Sequence, residues 1–169
     1  DPVEGTNFVA NNLPGSMSVL AVAEKGNLFN APETYMSKIA TGNHIPKSAL
    51  DIDFTVEKNI NIYSEITNKR NSEITVCILD RPRHNNIISE LKRLNVNIKL
   101  ITDGDVSGAL LVSDKKFNVD IFMGIGGGPE GVIAAAALKS LKCNFQGRFI
   151  FETEYEKKKS NTNGYQRFK

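Results

Sequence analysis

The sequence predicts an α/β protein whose C-terminal half contains a parallel βαβαβ sheet. From about residue 53 onward, short runs rich in β-branched residues alternate with helical patterns. This alternation favours parallel strands that are joined by right-handed crossovers. The chain has 169 residues, of which 40% are hydrophobic, and this content is sufficient for one sizeable core.

The first fifty residues follow a different pattern. Residues 17–29 predict a β-hairpin, because an apolar run is followed by the turn-like segment Glu-Lys-Gly-Asn. Pro32 and the spacing of Met36 and Ile39 predict a short helix that ends at Gly42. A linker is expected after this helix.

The elements of the C-terminal half follow in regular succession. Val56, Ile60 and Tyr63 recur at helical spacing and predict the first helix. Three buried strands are predicted at residues 74–79, 96–101 and 119–125, and one more strand at 148–152. The intervening helices are predicted at residues 87–94, 106–110 and 131–141. The polar, lysine-rich residues beyond Tyr155 are expected to be disordered.

Charge, hydropathy and cysteine content argue against several classes of protein. A formal net charge of +2 without a basic stripe argues against nucleic-acid binding. No apolar run approaches the roughly 20 residues of a membrane helix, and the first residues lack a signal-peptide pattern. Cys77 and Cys143 lie in apolar contexts that favour reduced thiols. We therefore expect a cytoplasmic protein with no membrane partner. Because the chain begins at Asp1 rather than Met, we also expect further sequence upstream.

A polar motif follows each of the three predicted buried strands. The motifs are Arg81-Pro82-Arg83, Asp103-Gly104-Asp105 and the glycine-rich loop Gly124 to Gly131. Ligands of open parallel sheets bind at the carboxyl ends of the strands, so we expect the three motifs to converge. Arginines can hold a phosphate, and paired aspartates suit sugar hydroxyls or a divalent cation. Glu130 lies in the first helical turn after the loop and could ligate a metal.

Each motif also has a purely structural interpretation. Arg81 and Arg83 could be solvated residues at the end of a strand, and Asp103 and Asp105 could be helix caps. The glycine loop does not have the spacing of a Walker motif, and it matches the dinucleotide-binding fingerprint poorly. The occurrence of all three motifs at strand ends favours the functional interpretation.

The N-terminal segment Asp1-Pro2-Val3-Glu4-Gly5-Thr6 carries a different chemistry. Two carboxylates three residues apart can bind hard divalent cations, and Gly5 and Thr6 offer N–H and hydroxyl groups to a phosphate. An acidic turn without a ligand is the alternative, and the spacing alone does not decide between the two.

At this point the motifs resemble a known family. Asp-Pro-Val-Glu-Gly-Thr resembles the Asp-Pro-Ile-Glu-Gly-Thr motif of class II fructose-1,6-bisphosphatases, which are related to lithium-sensitive inositol phosphatases. The resemblance continues through Asn30–Met36, Arg81–His84, Asp103–Asp105 and Gly124–Gly131. It implies a layered α/β/α sugar-phosphatase fold whose N-terminal half is incomplete here. The implied divisions are residues 1–50 as a remnant of a metal-binding domain, 51–153 as a sugar-phosphate-binding domain and 154–169 as a disordered tail.

The resemblance also implies roles for individual residues. The metal ligands would be Asp1, Glu4 and Glu130, and Glu4, Gly5 and Thr6 would contact the scissile phosphate. Thr6, Glu4 and Glu130 would be catalytic, with Thr6 orienting the attacking water. The sugar and its distal phosphate would be held by Tyr35, Arg81, Pro82, Arg83, Asp103, Gly104, Asp105 and Gly127.

This sequence departs from the family pattern at two motif positions and at its start. Arg81 stands where lysine is expected, and Gly128 stands where alanine is common. Family members have further acidic ligands upstream of the Asp-Pro-Ile-Glu-Gly-Thr motif. We therefore expect this chain alone to hold an incomplete metal site and to be inactive by itself.

The resemblance implies hydrolysis of the 1-phosphate of fructose 1,6-bisphosphate with Mn²⁺ or Mg²⁺ as cofactor. Alternatives are action on sedoheptulose 1,7-bisphosphate as well, a non-catalytic sugar-phosphate-binding module, and an inositol-phosphatase-like enzyme. Relatives make a homodimer or homotetramer the expected assembly.

Overall fold

The computed structural model describes residues 1–151, which form a five-stranded sheet in the order β3-β2-β4-β1-β5. The strands are β1 (Tyr35–Thr41), β2 (Thr75–Leu79), β3 (Asn97–Ile101), β4 (Ile121–Gly127) and β5 (Asn144–Ile150). Strand β2 pairs in parallel with β3 and β4, whereas β1 is antiparallel to both of its neighbours, β4 and β5. Four strands therefore point in one direction, and β1 runs against them.

Helices cover both faces of this sheet. They are α2 (Val56–Thr67), α3 (Asn85–Arg93), α4 (Asp105–Leu110) and α5 (Gly128–Ser140), whereas the short helix α1 (Thr6–Ala10) contains no buried residue. On one face, Ile60 of α2 and Leu91 of α3 pack in a core with Val76 of β2. On the other face, Ala109 of α4 and Leu138 of α5 pack with strand residues in a second core. The predicted layered α/β/α fold is therefore confirmed for the part of the chain that the structure describes.

The elements predicted between residues 53 and 141 are present. Helix α2 begins after Thr55, whose hydroxyl caps it by accepting a hydrogen bond from the backbone N–H of Lys58 at 3.1 Å. Strands β2 and β4 lie within the sheet with mostly buried residues, as predicted. Strand β3 is instead an edge strand with exposed side chains, so its prediction as a buried strand was wrong. Its β-branched content indicated a strand, but composition does not show whether a strand has a neighbouring strand on one side or on both.

The predicted helix from Pro32 to Gly42 was wrong. Residues 35–41 form β1, which lies between β4 and β5 and is almost continuously buried. Met36 and Ile39 stand three residues apart, a spacing that also occurs on one face of a helix. In the strand, Ile39 packs in one core and Ala40 in the other, so the apolar run serves both faces of the sheet.

The predicted hairpin at residues 17–29 was also wrong. Met17 forms an isolated antiparallel bridge with Glu4, and residues 18–29 contain no strand. Leu20 and Val22 are 87% and 84% exposed. The apolar run thus lacks the buried face that would stabilise a hairpin.

The C-terminal predictions lie partly outside the described residues. Strand β5 ends at Ile150 and begins at Asn144, four residues earlier than predicted. The expected disordered tail at 154–169 lies outside the described residues. Strand β1 pairs with two strands that lie beyond residue 51, and the division of the chain into domains at that position stays a prediction. Within residues 1–151, no helix is long and apolar enough to cross a membrane.

The sheet has a topological switch point between β2 and β4. The chain proceeds from β2 through α3 to the edge strand β3, and returns through α4 to β4 on the other side of β2. Helices α3 and α5 follow β2 and β4 but pack on opposite faces. The carboxyl ends of the two strands therefore border a crevice of the kind in which α/β proteins bind ligands.

Candidate functional site

His84 joins the carboxyl ends of β2 and β4 at the switch point. Its side chain is fully buried, its Nδ1 lies 2.7 Å from the carbonyl oxygen of Leu79, and its Nε2 accepts a hydrogen bond from the backbone N–H of Ile125 at 2.8 Å. This pairing requires the neutral tautomer in which Nδ1 carries the proton and donates to Leu79. Burial lowers the pKa of His84, which favours the same neutral form. A Cβ on Gly124, whose φ is +151°, would lie 3.2 Å from Nε2, so glycine leaves room for the ring.

Arg81 and Arg83 precede His84 in the chain. Together with the residues that they contact, Asp103 and Tyr35, they form a group that we call the arginine edge. The Nε of Arg83 donates a hydrogen bond to the carbonyl oxygen of Ile125 at 2.9 Å, and its guanidinium carbon lies 5.0 Å from the centroid of the Tyr35 ring. Arg81 forms an ion pair with Asp103 at 3.7 Å. Asp103 also accepts a hydrogen bond from the backbone N–H of Asn7 at 2.8 Å, which links the N-terminal segment to the end of β3.

Three carboxylates form a second group, the carboxylate cluster (Glu4, Asp105 and Glu130). Glu4 is 4% exposed, and its Oε1 accepts a hydrogen bond from the backbone N–H of Val106 at 2.6 Å. Burial raises the pKa of Glu4, and repulsion from Asp105 and Glu130 raises it further, while the Val106 N–H acts in the opposite direction. Glu4 is therefore close enough to Asp105 and to Glu130 to be repelled by each of them.

Lys38 of β1 lies against this cluster and was not identified from the sequence. It is 2% exposed and forms an ion pair with Asp105. Its signal in the sequence is a lysine within the apolar run from Met36 to Ala40. A helical interpretation of that run places the lysine on a solvated face, whereas a central strand requires a buried partner for it.

Glycines at the end of β4 leave room for these side chains. A Cβ on Gly126 would overlap the carboxylate of Asp105, and one on Gly127 would overlap the carboxylate of Glu130. Gly127 has φ −64° and ψ 144°, which any residue can adopt. Glycine at position 127 is therefore explained by space rather than by backbone conformation.

The carboxylate cluster has features that fit a divalent cation. Asp105 Oδ1 and Glu130 Oε2 are buried and have no hydrogen-bond partner among the described residues. Within residues 1–151, no group of three or more Asp, Glu, His or Cys side chains is placed so that it could hold a metal ion by itself, so the carboxylate cluster offers an incomplete set of ligands. Mg²⁺ is commonly bound by one or two carboxylates together with substrate phosphate and water, so the donors present fit part of such a shell.

Of the remaining N-terminal residues, Asp1 and Thr6 lie at the surface and Gly5 is buried. Asp1 is exposed, and its Oδ1 accepts a hydrogen bond from the backbone N–H of Val3 at 3.1 Å. Gly5 adopts the left-handed conformation with φ +76° just before α1, and Thr6 is the exposed first residue of that helix. The structure thus brings Glu4 into the carboxylate cluster and leaves the ligand role of Asp1 a prediction.

Comparison with known proteins identifies the family. A family model described as bacterial fructose-1,6-bisphosphatase, glpX-encoded, matches residues 1–169. The chain belongs to this family. The resemblance predicted from the strand-end motifs and from Asp-Pro-Val-Glu-Gly-Thr is therefore confirmed.

Curated relatives of this fructose-1,6-bisphosphatase family member carry the name D-fructose 1,6-bisphosphatase class 2/sedoheptulose 1,7-bisphosphatase. The protein of Synechococcus sp. (strain JA-2-3B'a(2-13)) is 46% identical over 154 residues, which are 91% of this chain and 44% of the relative. The protein of Synechocystis sp. (strain ATCC 27184 / PCC 6803 / Kazusa) is 45% identical over 157 residues, which are 93% of this chain and 45% of the relative. The chain thus spans under half the length of the curated relatives that it matches.

Proposed function

We propose that the protein hydrolyses the 1-phosphate of fructose 1,6-bisphosphate to fructose 6-phosphate and inorganic phosphate. The observation that supports this proposal is that the arginine edge and the carboxylate cluster lie next to each other. Asp103, in the arginine edge, and Asp105, in the carboxylate cluster, are separated by Gly104 alone. A bisphosphorylated sugar has the matching pattern, with a phosphate at each end and hydroxyl groups between them.

The carboxylate cluster is proposed to act at the scissile phosphate. Mn²⁺ or Mg²⁺, when bound, supplies neutralisation of the phosphoryl oxygens and a lowered pKa of the attacking water. Glu4 and Glu130, together with Asp1, are the proposed ligands. Gly5 offers its backbone N–H to the phosphate, and the hydroxyl of Thr6 orients the water for in-line attack.

The arginine edge is proposed to hold the distal phosphate. Arg83 is fixed from two sides by Ile125 and Tyr35, so its guanidinium group loses little further freedom when it binds an anion. Arg81, Pro82, Gly104 and Gly127 complete the binding surface in the proposal, and Asp103 and Asp105 accept hydrogen bonds from the sugar hydroxyls. This binding energy, remote from the reacting bond, positions the 1-phosphate for hydrolysis.

Sedoheptulose 1,7-bisphosphate is proposed as a second substrate. The names of the curated relatives include both bisphosphatase activities. The longer sugar also carries two terminal phosphates, so both groups of the site would serve it. Comparison of kcat/KM for the two sugars, measured on one preparation of the native protein, tests this second activity.

The central experiment combines phosphate release with calorimetry. The native protein, by which we mean the intact enzyme rather than this chain by itself, is expected to release phosphate from fructose 1,6-bisphosphate, to lose this activity in chelator and to regain it with Mn²⁺ or Mg²⁺. Full activity in chelator contradicts the metal-dependent mechanism. Calorimetric binding of the sugar without phosphate release under any metal condition identifies a non-catalytic binding module instead.

We further propose a homodimer or homotetramer in the cytoplasm. The free, buried thiols of Cys77 and Cys143 are compatible with a reducing compartment. Sedimentation or light scattering of the native protein measures its assembly state, and a monomer at all concentrations contradicts this part of the proposal.

A further inference from the structure

Lys38 is a buried charge for which the proposed reaction has not yet assigned a role. Its side chain is 1% exposed, and its ammonium group is paired with a carboxylate that is itself only 11% exposed. Lysine is rarely buried without a partner, because the loss of hydration of its charge is costly. The position of its partner, Asp105, therefore determines what this lysine does.

The surrounding backbone leaves space for the ion pair. A Cβ on Gly126 would overlap the Asp105 carboxylate, and a Cβ on Gly131 would lie 3.0 Å from the Cε of Lys38. Lys38 itself stands opposite Gly124 in the register of β1 and β4. Two glycines at the end of β4 and one in the first turns of α5 thus border the lysine or its partner. The ion pair is therefore enclosed by the fold rather than formed at the surface.

The charges around Lys38 indicate that it compensates part of the negative charge of the carboxylate cluster. When Glu4, Asp105 and Glu130 are ionised, the carboxylate cluster carries three negative charges, and Lys38 compensates one of them. Two buried oxygens, Asp105 Oδ1 and Glu130 Oε2, have no hydrogen-bond partner among residues 1–151. The remaining charge matches that of one divalent cation.

Stability does not explain why the pair is present. A buried ion pair is often no more stabilising than apolar residues of the same volume, because both charges lose their hydration. Apolar residues would fit the surroundings of Lys38, since Met36 and Ala40, which share its face of β1, are buried. A role in the chemistry of the crevice is therefore the better explanation.

We propose that Lys38 is a positioning residue that holds the Asp105 carboxylate toward the substrate and limits the net charge of the carboxylate cluster to that of one divalent cation. The inference rests on the proposed function and deepens it. Lys38 acts through Asp105 and does not contact the scissile phosphate. Without it, Asp105 becomes free to turn toward the cation.

The test measures the Kd of Mn²⁺ by titration calorimetry without substrate, and the kinetics of phosphate release, for the native protein and for Lys38→Met. Methionine keeps the approximate length of the side chain and removes its charge. We expect about tenfold tighter Mn²⁺ binding, because the cluster gains one uncompensated negative charge. KM for fructose 1,6-bisphosphate should rise by about tenfold, because Asp105 is released and the substrate is an anion.

The double variant Lys38→Met/Asp105→Asn is the matched control. It removes one charge of each sign, so its Mn²⁺ affinity should return to within about twofold of the native value, and its KM should stay high. This variant leaves neither partner of the Lys38–Asp105 pair as an unpaired charge, and it keeps the proposal testable if the single variant does not fold.

The outcomes separate the two proposals. Native activity combined with an unchanged or weaker Mn²⁺ affinity in Lys38→Met overturns the role of Lys38 and leaves the proposed function in place. An Mn²⁺ affinity of the double variant that differs from the native value by about tenfold or more overturns it as well. A native protein that neither binds Mn²⁺ nor releases phosphate overturns the proposed function, and the role of Lys38 with it.

Discussion

The imidazole Nε2 of His84 accepts a hydrogen bond from the backbone N–H of Ile125 at 2.8 Å, and the neighbouring Arg83 donates to the carbonyl oxygen of the same Ile125 at 2.9 Å. Two adjacent residues that follow β2 therefore hold both polar backbone groups of one residue in β4. This contact fixes the two sides of the switch point relative to each other. It also fixes the side chain of Arg83 through a hydrogen bond to the backbone of β4, and a strand backbone is more rigid than the side chains at the surface.

The first prediction concerns the pH dependence of stability. Burial lowers the pKa of His84 below its ordinary value of 6.5, so the unfolded state binds a proton at a higher pH than the folded state does. The stabilising effect of neutral His84 is complete above that value and decreases as the pH falls toward the folded-state pKa. Urea unfolding between about pH 7.5 and pH 5 should show this decrease, with a smaller slope in His84→Gln.

His44→Gln is the control for this measurement. The chain contains two histidines, and burial lowers the pKa of His44 as well. If both histidines contribute to the pH dependence of stability, each variant removes its own part of the slope of the free energy of unfolding against pH. A His84→Gln variant with the full pH dependence of the native protein would show that the buried imidazole is not a source of it.

The second prediction separates binding from turnover at the arginine edge. Arg83→Ala should chiefly raise KM for fructose 1,6-bisphosphate, by about tenfold or more, because a charge-assisted contact to the distal phosphate is lost in the ground state and the transition state alike. Arg83→Lys should be intermediate, since lysine keeps the charge and lacks the Nε–H that bonds Ile125. Steady-state kinetics of phosphate release measures both. A fall in kcat as large as the rise in KM contradicts the assignment.

The third prediction concerns the metal ligand proposed in α5. Glu130→Gln preserves shape and removes the charge of a carboxylate that has a buried, unpaired oxygen. Turnover should fall by at least about a hundredfold, while the free energy of unfolding should not decrease, because the charge is removed from a half-buried carboxylate with one buried, unpaired oxygen. Phosphate release and urea unfolding provide the two readouts. Native-like turnover in this variant would remove Glu130 from the mechanism.

The fourth prediction tests the space that Gly127 leaves. In Gly127→Ala the new methyl group overlaps the Glu130 carboxylate, and the backbone conformation remains allowed. We expect turnover to fall with little change in stability, because the end of a flexible side chain is displaced rather than the backbone. In a Glu130→Gln background the same substitution should have little further effect on turnover. Additive losses would indicate that Gly127 acts independently of Glu130.

The fifth prediction concerns the core on the α4 and α5 face. Leu138 is fully buried, and Leu138→Ala should lower the free energy of unfolding by about 2 to 5 kcal/mol through lost burial and the cavity that remains. The matched control is Leu100→Ala on the edge strand β3, where the leucine is 47% exposed and the loss should be clearly smaller. Denaturant unfolding measures both, and equal losses would contradict the assignment of the core.

Much of the candidate site was predictable because its signals are local. Arg81-Pro82-Arg83 follows β2, and strands of a parallel sheet bring such motifs to one edge. The glycine motif Gly124–Gly131 was expected to be a loop after the third strand, but it forms the end of β4 and the start of α5. Glu4 and Glu130 were identified as possible cation ligands from their positions in local motifs and then through the family resemblance, and the structure brings them near each other. Arg83 and Tyr35 were both predicted as binding residues, and the structure likewise brings them together by stacking the guanidinium group on the ring.

The sequence by itself determined the succession of strands and helices from residue 53 onward, the strand-end motifs and the family. These depend on periodicity and spacing within short segments. Tertiary structure alone decided that residues 35–41 form a central antiparallel strand and that Lys38 therefore lies beside Asp105. The pairing of β1 with β4 and β5 joins segments about a hundred residues apart, and burial between two layers of helices outweighs the local preference of a seven-residue run.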